Sequence, residues 1–269
     1  MNRIDSTTGK LRRGITLAFP VCLLAIGLTL VFSQVQRPAA LVEVWLPWTE
    51  IGILAFTMTA VILCGGIDLS VGSMVALCGV VLGITLQWEW PLAAALAATA
   101  ACGLCVGAFN GGLVAIGMSP LVATLATMAF YRGLAMTLSG GERFAGFPDN
   151  LRNWQTIAGF PLHFFCFVFI ALAIWILIHC TRAGRWCYAI GDNRTAARFA
   201  AVPDRRLDLC LYTLNGSAAA LVAILHAIDE NVAIPDAFRG TELQVIACVV
   251  VGGTLITGGE GGVLRTLIG

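Results

Sequence analysis

Apolar residues run along this chain in long blocks, not in the alternating or one-in-four patterns of elements that keep one wet face. The blocks are 14–33, 47–64, 71–88, 91–109, 119–138, 162–180, 208–227 and 242–257. A helix needs about 20 mostly apolar residues to cross a bilayer, and these blocks have that length or approach it. Polar or Pro/Gly connectors separate them, among them 34–38, Trp88-Glu89-Trp90-Pro91 and 140–161. The pattern predicts an all-α, polytopic transmembrane protein of about 8–9 spans.

Composition supports that class. Of 269 residues, 58% are hydrophobic and only 12% charged, against about 25% charged in soluble domains. So few charges cannot cover a soluble globule, and the hydrophobic content excludes disorder. A net charge of +1 offers no footprint for nucleic acid. The ten Cys form no disulfide framework, because nearly all sit in or beside apolar blocks. Cys102 and Cys105 make a C-x-x-C with no second ligand pair, so packing is their expected role.

Basic residues set the expected orientation. Arg3, Lys10, Arg12 and Arg13 precede the first block, and Arg182, Arg185, Arg194, Arg198, Arg205 and Arg206 fill 181–207. The two segments hold ten of the 16 basic residues and are separated by an even number of blocks. The positive-inside bias places both in the cytoplasm, with loops 139–161 and 228–241 outside. Trp45, Trp48, Trp88 and Trp90 fit an interfacial belt on the outer side. The first block is too long for a signal peptide and lacks a clean cleavage site, so it is read as an uncleaved span.

Polar groups within this apolar background carry the chemistry. Cys64-Gly65-Gly66-Ile67-Asp68-Leu69-Ser70-Val71-Gly72-Ser73 breaks two blocks with an acid and small residues. Broken helices at membrane depth are tolerated only inside protein or beside a wet cavity. The residues alone leave two roles for Asp68 open. It accepts N–H groups freed at the next helix start, with Ser70 helping as a cap, or the break lines a solute path. A related break returns at Val251 to Gly262, suggesting two related halves. Asn110-Gly111-Gly112 and Ser119 to Thr127 offer small and hydrogen-bonding residues for close helix packing. In 189–203, Asp192 or Asn193 is expected to cap a short helix from Arg194 that shows Ala196, Ala197 and Ala200 and ends at Pro203.

These segments together resemble the permease subunits of bacterial ABC sugar importers of the ribose/xylose/rhamnose type. The resemblance rests on Gly65-Gly66-Ile67-Asp68-Leu69-Ser70-Val71-Gly72-Ser73, then Leu121 to Leu125 with Arg132-Gly133-Leu134, Gly191-Asp192-Asn193 with Ala196-Ala197, and Val251-Gly252-Gly253 to Gly258-Gly259, in that order. It implies a multi-pass bacterial inner-membrane protein with a cytoplasmic N-terminus, no enzymatic activity and no cofactor or metal of its own. It implies cytoplasmic ABC ATPase subunits, a periplasmic sugar-binding protein and a second permease copy or paralogue as partners. On this reading Gly65, Gly66, Asp68, Ser70, Asn110 and Thr124 belong to the substrate pathway. Gly191, Asp192, Asn193, Ala196, Ala197 and Arg198 belong to the ATPase-coupling segment. ATP hydrolysis falls to partners, since the only Lys is Lys10 and no Walker-type G-x-x-x-x-G-K-[ST] exists here.

Two departures accompany the resemblance. The family usually has Gly where Ala201 stands. The chain ends at Gly269 within an apolar run that begins at Val263, where the family usually continues, and Arg265 stands where a small residue is expected. Residues 1–269 are therefore read as one transmembrane permease domain, with a cytoplasmic 1–13 and coupling loop 181–207, whose final helices are absent. The alternatives are an ion-coupled carrier using Asp68, a shortened non-transporting remnant, and a membrane enzyme. The last is the weakest, because His163, His179 and His226 form no H-E-x-x-H.

Overall fold

The computed structural model describes residues 38–157 and 160–269, with side chains at 47–156 and 160–269. The expected first span and cytoplasmic N-terminus lie outside the described residues. Thr49–Leu267 group as one compact unit, apart from residues up to Trp48, and the packing below concerns that unit.

The described chain is mostly helical. The elements are α1 (Pro38–Leu63), α2 (Val71–Gln87), α3 (Leu92–Ala115), α4 (Pro120–Ser139), β1 (Phe144–Ala145), α5 (Asp149–Arg152), β2 (Thr156–Ile157), β3 (Phe160–Pro161), α6 (Leu162–Cys180), α7 (Arg182–Phe199), α8 (Asp204–Glu230), β4 (Val232–Ala233), α9 (Thr241–Val251) and α10 (Val263–Ile268). Helices α3, α4, α6 and α8 are long and apolar enough to cross a membrane. The strands make two small antiparallel pairs, β1 with β4 and β2 with β3. The apolar blocks of the sequence thus become helices nearly block for block.

Helix α2 is the axis of the bundle. It is apolar on all sides and almost wholly buried, as a helix without a polar face must be. Around it pack α3, α4 and α8. Helix α6 faces outward instead, with Phe164, Phe169 and Leu172 exposed, a surface suited to lipid. Trp88 and Trp90 are exposed at the α2–α3 turn, as an interfacial belt requires.

Helices α3 and α8 meet backbone to backbone. A Cβ at Gly103 would overlap the Gly216 carbonyl, one at Gly107 the Tyr212 carbonyl, and one at Gly111 would lie 2.7 Å from Leu209 Cα. Gly103, Gly107 and Gly111 recur every four residues, so all three lie on one helix face. Small residues at that spacing let membrane helices approach closely, where dispersion and not hydrophobicity holds them.

Two sequence expectations change here. The segment 181–207 is not mainly loop. Thr181 accepts a hydrogen bond from the Gly184 N–H at 3.3 Å, and α7 runs from Arg182 with one break, at Asn193 (φ −153°, ψ 98°). The block 242–257 is not a span. Helix α9 stops at Val251, because Gly252-Gly253 turn the chain, with Gly253 at φ 97°. Its 11 residues reach about 16 Å, half a bilayer.

Candidate functional site

The break after α1 is built by Asp68, which has no exposed surface. Its Oδ1 accepts the Ser70 N–H at 2.9 Å and the Ser70 hydroxyl at 2.7 Å. Its Oδ2 accepts the Asn215 Nδ2 at 2.9 Å. Asn215 Oδ1 in turn accepts the Thr57 hydroxyl at 2.8 Å. Asn110 Nδ2 donates to Ser70 Oγ at 2.7 Å, and its Oδ1 accepts the Tyr131 hydroxyl at 2.9 Å. One carboxylate thereby ties α1, α2, α3, α4 and α8 together. A buried charge is tolerable only with such saturation.

The free backbone carbonyl of the break is also satisfied. Ile67 O accepts the Thr124 hydroxyl at 3.3 Å and the Tyr212 hydroxyl at 3.2 Å. Gly66 lies beneath Tyr212, with no room for a Cβ. Gly65 takes a left-handed φ of 74°, which glycine adopts at little cost. Of the six expected pathway residues, the structure gathers Gly66, Asp68, Ser70, Asn110 and Thr124 inside the bundle, while Gly65 is exposed. The polar side chains of the buried five bond within the bundle. Ser70 differs from expectation in one respect. Its hydroxyl does not cap α2; it donates to Asp68.

Near the break, three glycine-containing segments meet. Gly191 of α7 touches the Leu63 carbonyl and the backbone of Gly258 and Gly259 so closely that any Cβ there would overlap them. The Gly259 N–H donates to Leu63 O at 3.0 Å. Both Gly-rich breaks, at 64–73 and 251–262, therefore close on α7. Arg194 secures the same place. Its Nη2 donates to Cys64 O at 3.2 Å, and its guanidinium holds Asp208 by two bonds of 2.7 and 3.1 Å. That bidentate bond raises the Arg194 pKa above its ordinary value, so Arg194 stays charged at any physiological pH.

Beyond the break in α7, Asn193 Oδ1 accepts the Ala196 N–H at 2.9 Å. Asn193, not Asp192, is thus the cap. The short helix ends before Ala201, whose φ is 57°. A left-handed φ there explains why Gly suits this position. Arg198 donates to Asp204 at 2.7 Å, pinning the turn to the start of α8. The expected outward surface of Ala196, Ala197 and Ala200 is corrected at one residue. Ala197 is buried and packs on the core, whereas Ala196 and Ala200 face out beside Phe199, which is 90% exposed.

Sequence reasoning missed Thr57, Tyr131, Tyr212 and Asn215, all lone polar groups in apolar blocks. It also missed the Gly103, Gly107, Gly111 spacing, which was readable.

Comparisons with known proteins give the family. The family described as "Branched-chain amino acid transport system / permease component" matches residues 42–269. The chain belongs to this permease family. Among its relatives is the "Autoinducer 2 import system permease protein LsrD" of Klebsiella pneumoniae, 38% identical over 227 residues, covering 81% of this chain and 68% of the relative. The proteins of the same name in Yersinia enterocolitica and Enterobacter sp. strain 638 are each 37% identical, covering 81% of this chain and 69% of the relative. No solved structure matches. The chain is therefore a multi-pass membrane permease of the ABC importer class, and ATPase and substrate-binding partners go with that class in general.

Proposed function

We propose that this chain is one permease subunit of a bacterial inner-membrane ABC importer for a small hydroxylated solute. Autoinducer 2 comes first among the candidates, because the relatives at 37–38% identity carry that name; a ribose-type monosaccharide follows. The carrying observation is the meeting of Gly191 with Leu63 and with Gly258-Gly259. A segment that leans on both broken helices at once transmits a push to both. In this reading 181–207 is cytoplasmic, the N-terminus lies on the same side, and a second permease copy or paralogue completes the pathway.

The surface for the ATPase is the capped helix after Asn193. Phe199 is an exposed aromatic side chain flanked by Ala196 and Ala200, the shape of an anchor for a partner's pocket. Gly191, Asp192 and Asn193 form the pivot, Ala197 the inward anchor and Arg198 the brace to α8.

Asp68, Ser70, Asn110 and Thr124 act by positioning. Their bonds hold the break in one geometry, so that movement of α7 at Leu63-Cys64 is carried into α2 without the polar groups losing partners. The chemistry on ATP belongs to the partner subunits.

The test is co-purification of this chain with the products of adjacent genes, followed by uptake in proteoliposomes. Recovery of an ATPase and a solute-binding protein, with ATP-dependent uptake of autoinducer 2 or ribose, is expected. Uptake driven by a pH gradient without any ATPase refutes the reading.

A further inference from the structure

The loop expected outside the membrane, 228–241, instead returns into the bundle. From β4 the chain descends along α2. Ala233 Cβ faces Gly79 at a distance a Cβ there would make 3.6 Å, and the Phe238 carbonyl sits against Gly72 too closely for any Cβ. Gly72 lies 15 residues before the end of α2, about 22 Å along its axis at 1.5 Å per residue. A second gauge is Arg132 on α4, which donates to the Pro235 carbonyl at 3.0 Å and the Ala237 carbonyl at 2.6 Å. Arg132 lies seven residues before Ser139, the end of α4, or about 10 Å. Residues 235–239 therefore sit about 10 to 20 Å below the helix ends, within a hydrocarbon core about 30 Å thick.

Charged side chains are exposed at that depth. Arg239 donates Nε to Asp236 Oδ1 at 2.9 Å, and its Nη2 is 2.7 Å from the same oxygen. The Arg239 side chain is 72% exposed and that of Asp236 44%. Arg132 Nη1 lies 4.0 Å from Asp236 Oδ1, and the Glu242 carboxylate reaches Gly72 on the other side. Ionised groups facing hydrocarbon are among the most costly placements a membrane protein can make. Irregular backbone at membrane depth requires protein cover or a water-filled cavity. This segment has both features, with Phe238 at a left-handed φ of 57° and Gly240 at 84°.

We propose that Arg132, Asp236, Arg239 and Glu242 line the solute path and bind a neutral polyhydroxylated molecule. Two positive and two negative groups balance, which suits an uncharged solute and not an ion. Among the described residues, the bonds to Asp236 all use Oδ1. Its Oδ2 remains to accept a hydroxyl, while the unused guanidinium N–H groups of Arg132 and Arg239 donate to a neighbouring one. Adjacent hydroxyls on a small ring match that pairing of acceptor and donor. The inference rests on the importer reading for the solute, but the wetness of the site is independent of it.

The experiment is thiol labelling in whole cells that express this chain with its ATPase and paired permease. Arg239→Cys is compared with Phe169→Cys, which lies at similar depth on the outward face of α6, against a parent whose exposed Cys105, Cys180 and Cys210 are replaced by Ala. The reagent is a membrane-impermeant cationic methanethiosulfonate. Arg239→Cys is expected to react on the order of tenfold faster, because only a hydrated thiol ionises to the reactive thiolate, and saturating autoinducer 2 or ribose is expected to slow it. Equal rates at the two positions overturn the proposal and indicate a dry contact with the second permease. A second variant, Arg239→Gln, is expected to raise the KM for uptake with membrane insertion as in the parent. An unchanged KM also overturns it. If the parent complex shows no ATP-dependent uptake, the importer reading has failed, and the labelling ratio still decides whether the site is wet.

Discussion

Two adjacent glycines of α3 differ sharply in surroundings, and the same substitution at each should have opposite effects. A Cβ at Gly111 would lie 2.7 Å from Leu209 Cα, 2.9 Å from Leu209 O and 3.2 Å from Asp208 O, all backbone atoms of α8. A Cβ at Gly112 has nothing within 4 Å. Carbon atoms rest at about 3.5–4.0 Å, so Gly111→Ala forces α3 and α8 apart by about 0.8 Å or more. Overpacking of that kind costs about 1–3 kcal/mol. The better helix propensity of Ala offsets about 1 kcal/mol, leaving a net loss of up to about 2 kcal/mol. Gly112→Ala gains the propensity without the clash, for a change between zero and about 1 kcal/mol of stabilisation. Asn110 precedes this point and bonds Ser70 at 2.7 Å, so separation of the helices also strains the Asp68 network. The assay is thermal denaturation of the purified complex in detergent. For a chain of this size Gly111→Ala should lower the midpoint by up to about 8 °C, and Gly112→Ala should hold or raise it. Equal shifts for the two variants would show that α3 and α8 do not pack through this glycine face.

Other substitutions probe the remaining parts. Asp68→Asn places an amide N–H against the Asn215 or Ser70 donors and should cost about 1–3 kcal/mol, read as a lower midpoint at unchanged membrane insertion; a wild-type midpoint would contradict the network. Ala201→Gly relieves the left-handed φ of 57° and should stabilise by up to about 1 kcal/mol, whereas destabilisation would mean that this turn is not left-handed. Phe199→Ala should weaken association with the ATPase by roughly 30-fold, the effect of losing an anchor of about 2 kcal/mol, measured by titrating the ATPase onto the permease in nanodiscs. Undiminished affinity there would remove the docking surface from this helix.

Much of this was legible in the residues. Apolar blocks became helices because a bilayer demands about 20 apolar residues and satisfied backbone. The Asp68 break was visible because one acid stands out in apolar surroundings. A cap at Asp192 or Asn193 and the stop near Pro203 were visible because helix termini have local chemistry, and the fold decided for Asn193. What stayed hidden depends on distant partners. Asn215, Tyr131 and Thr57 are ordinary polar residues until folding brings them to one carboxylate. The break at Gly252-Gly253 was visible too, but not that it ends a helix of only 11 residues. The return of 228–241 into the bundle was hidden for a different reason. Its charges read as extramembrane, although their positions are fixed by contacts to α2 and α4. Ala197 turned inward because the helix after Asn193 packs by one face, a rotation that spacing alone leaves open.

In the proposed function the 181–207 segment is linked mechanically to both broken helices. The most direct measurement is the ratio of ATP hydrolysed to solute imported by the reconstituted complex carrying Gly191→Ala. The added Cβ wedges the Leu63 carbonyl from Gly258-Gly259 without touching Phe199 or the ATPase surface. The ATPase is expected still to bind and hydrolyse ATP while uptake falls, so the ratio rises several-fold. An unchanged ratio in a folded, assembled complex would contradict it.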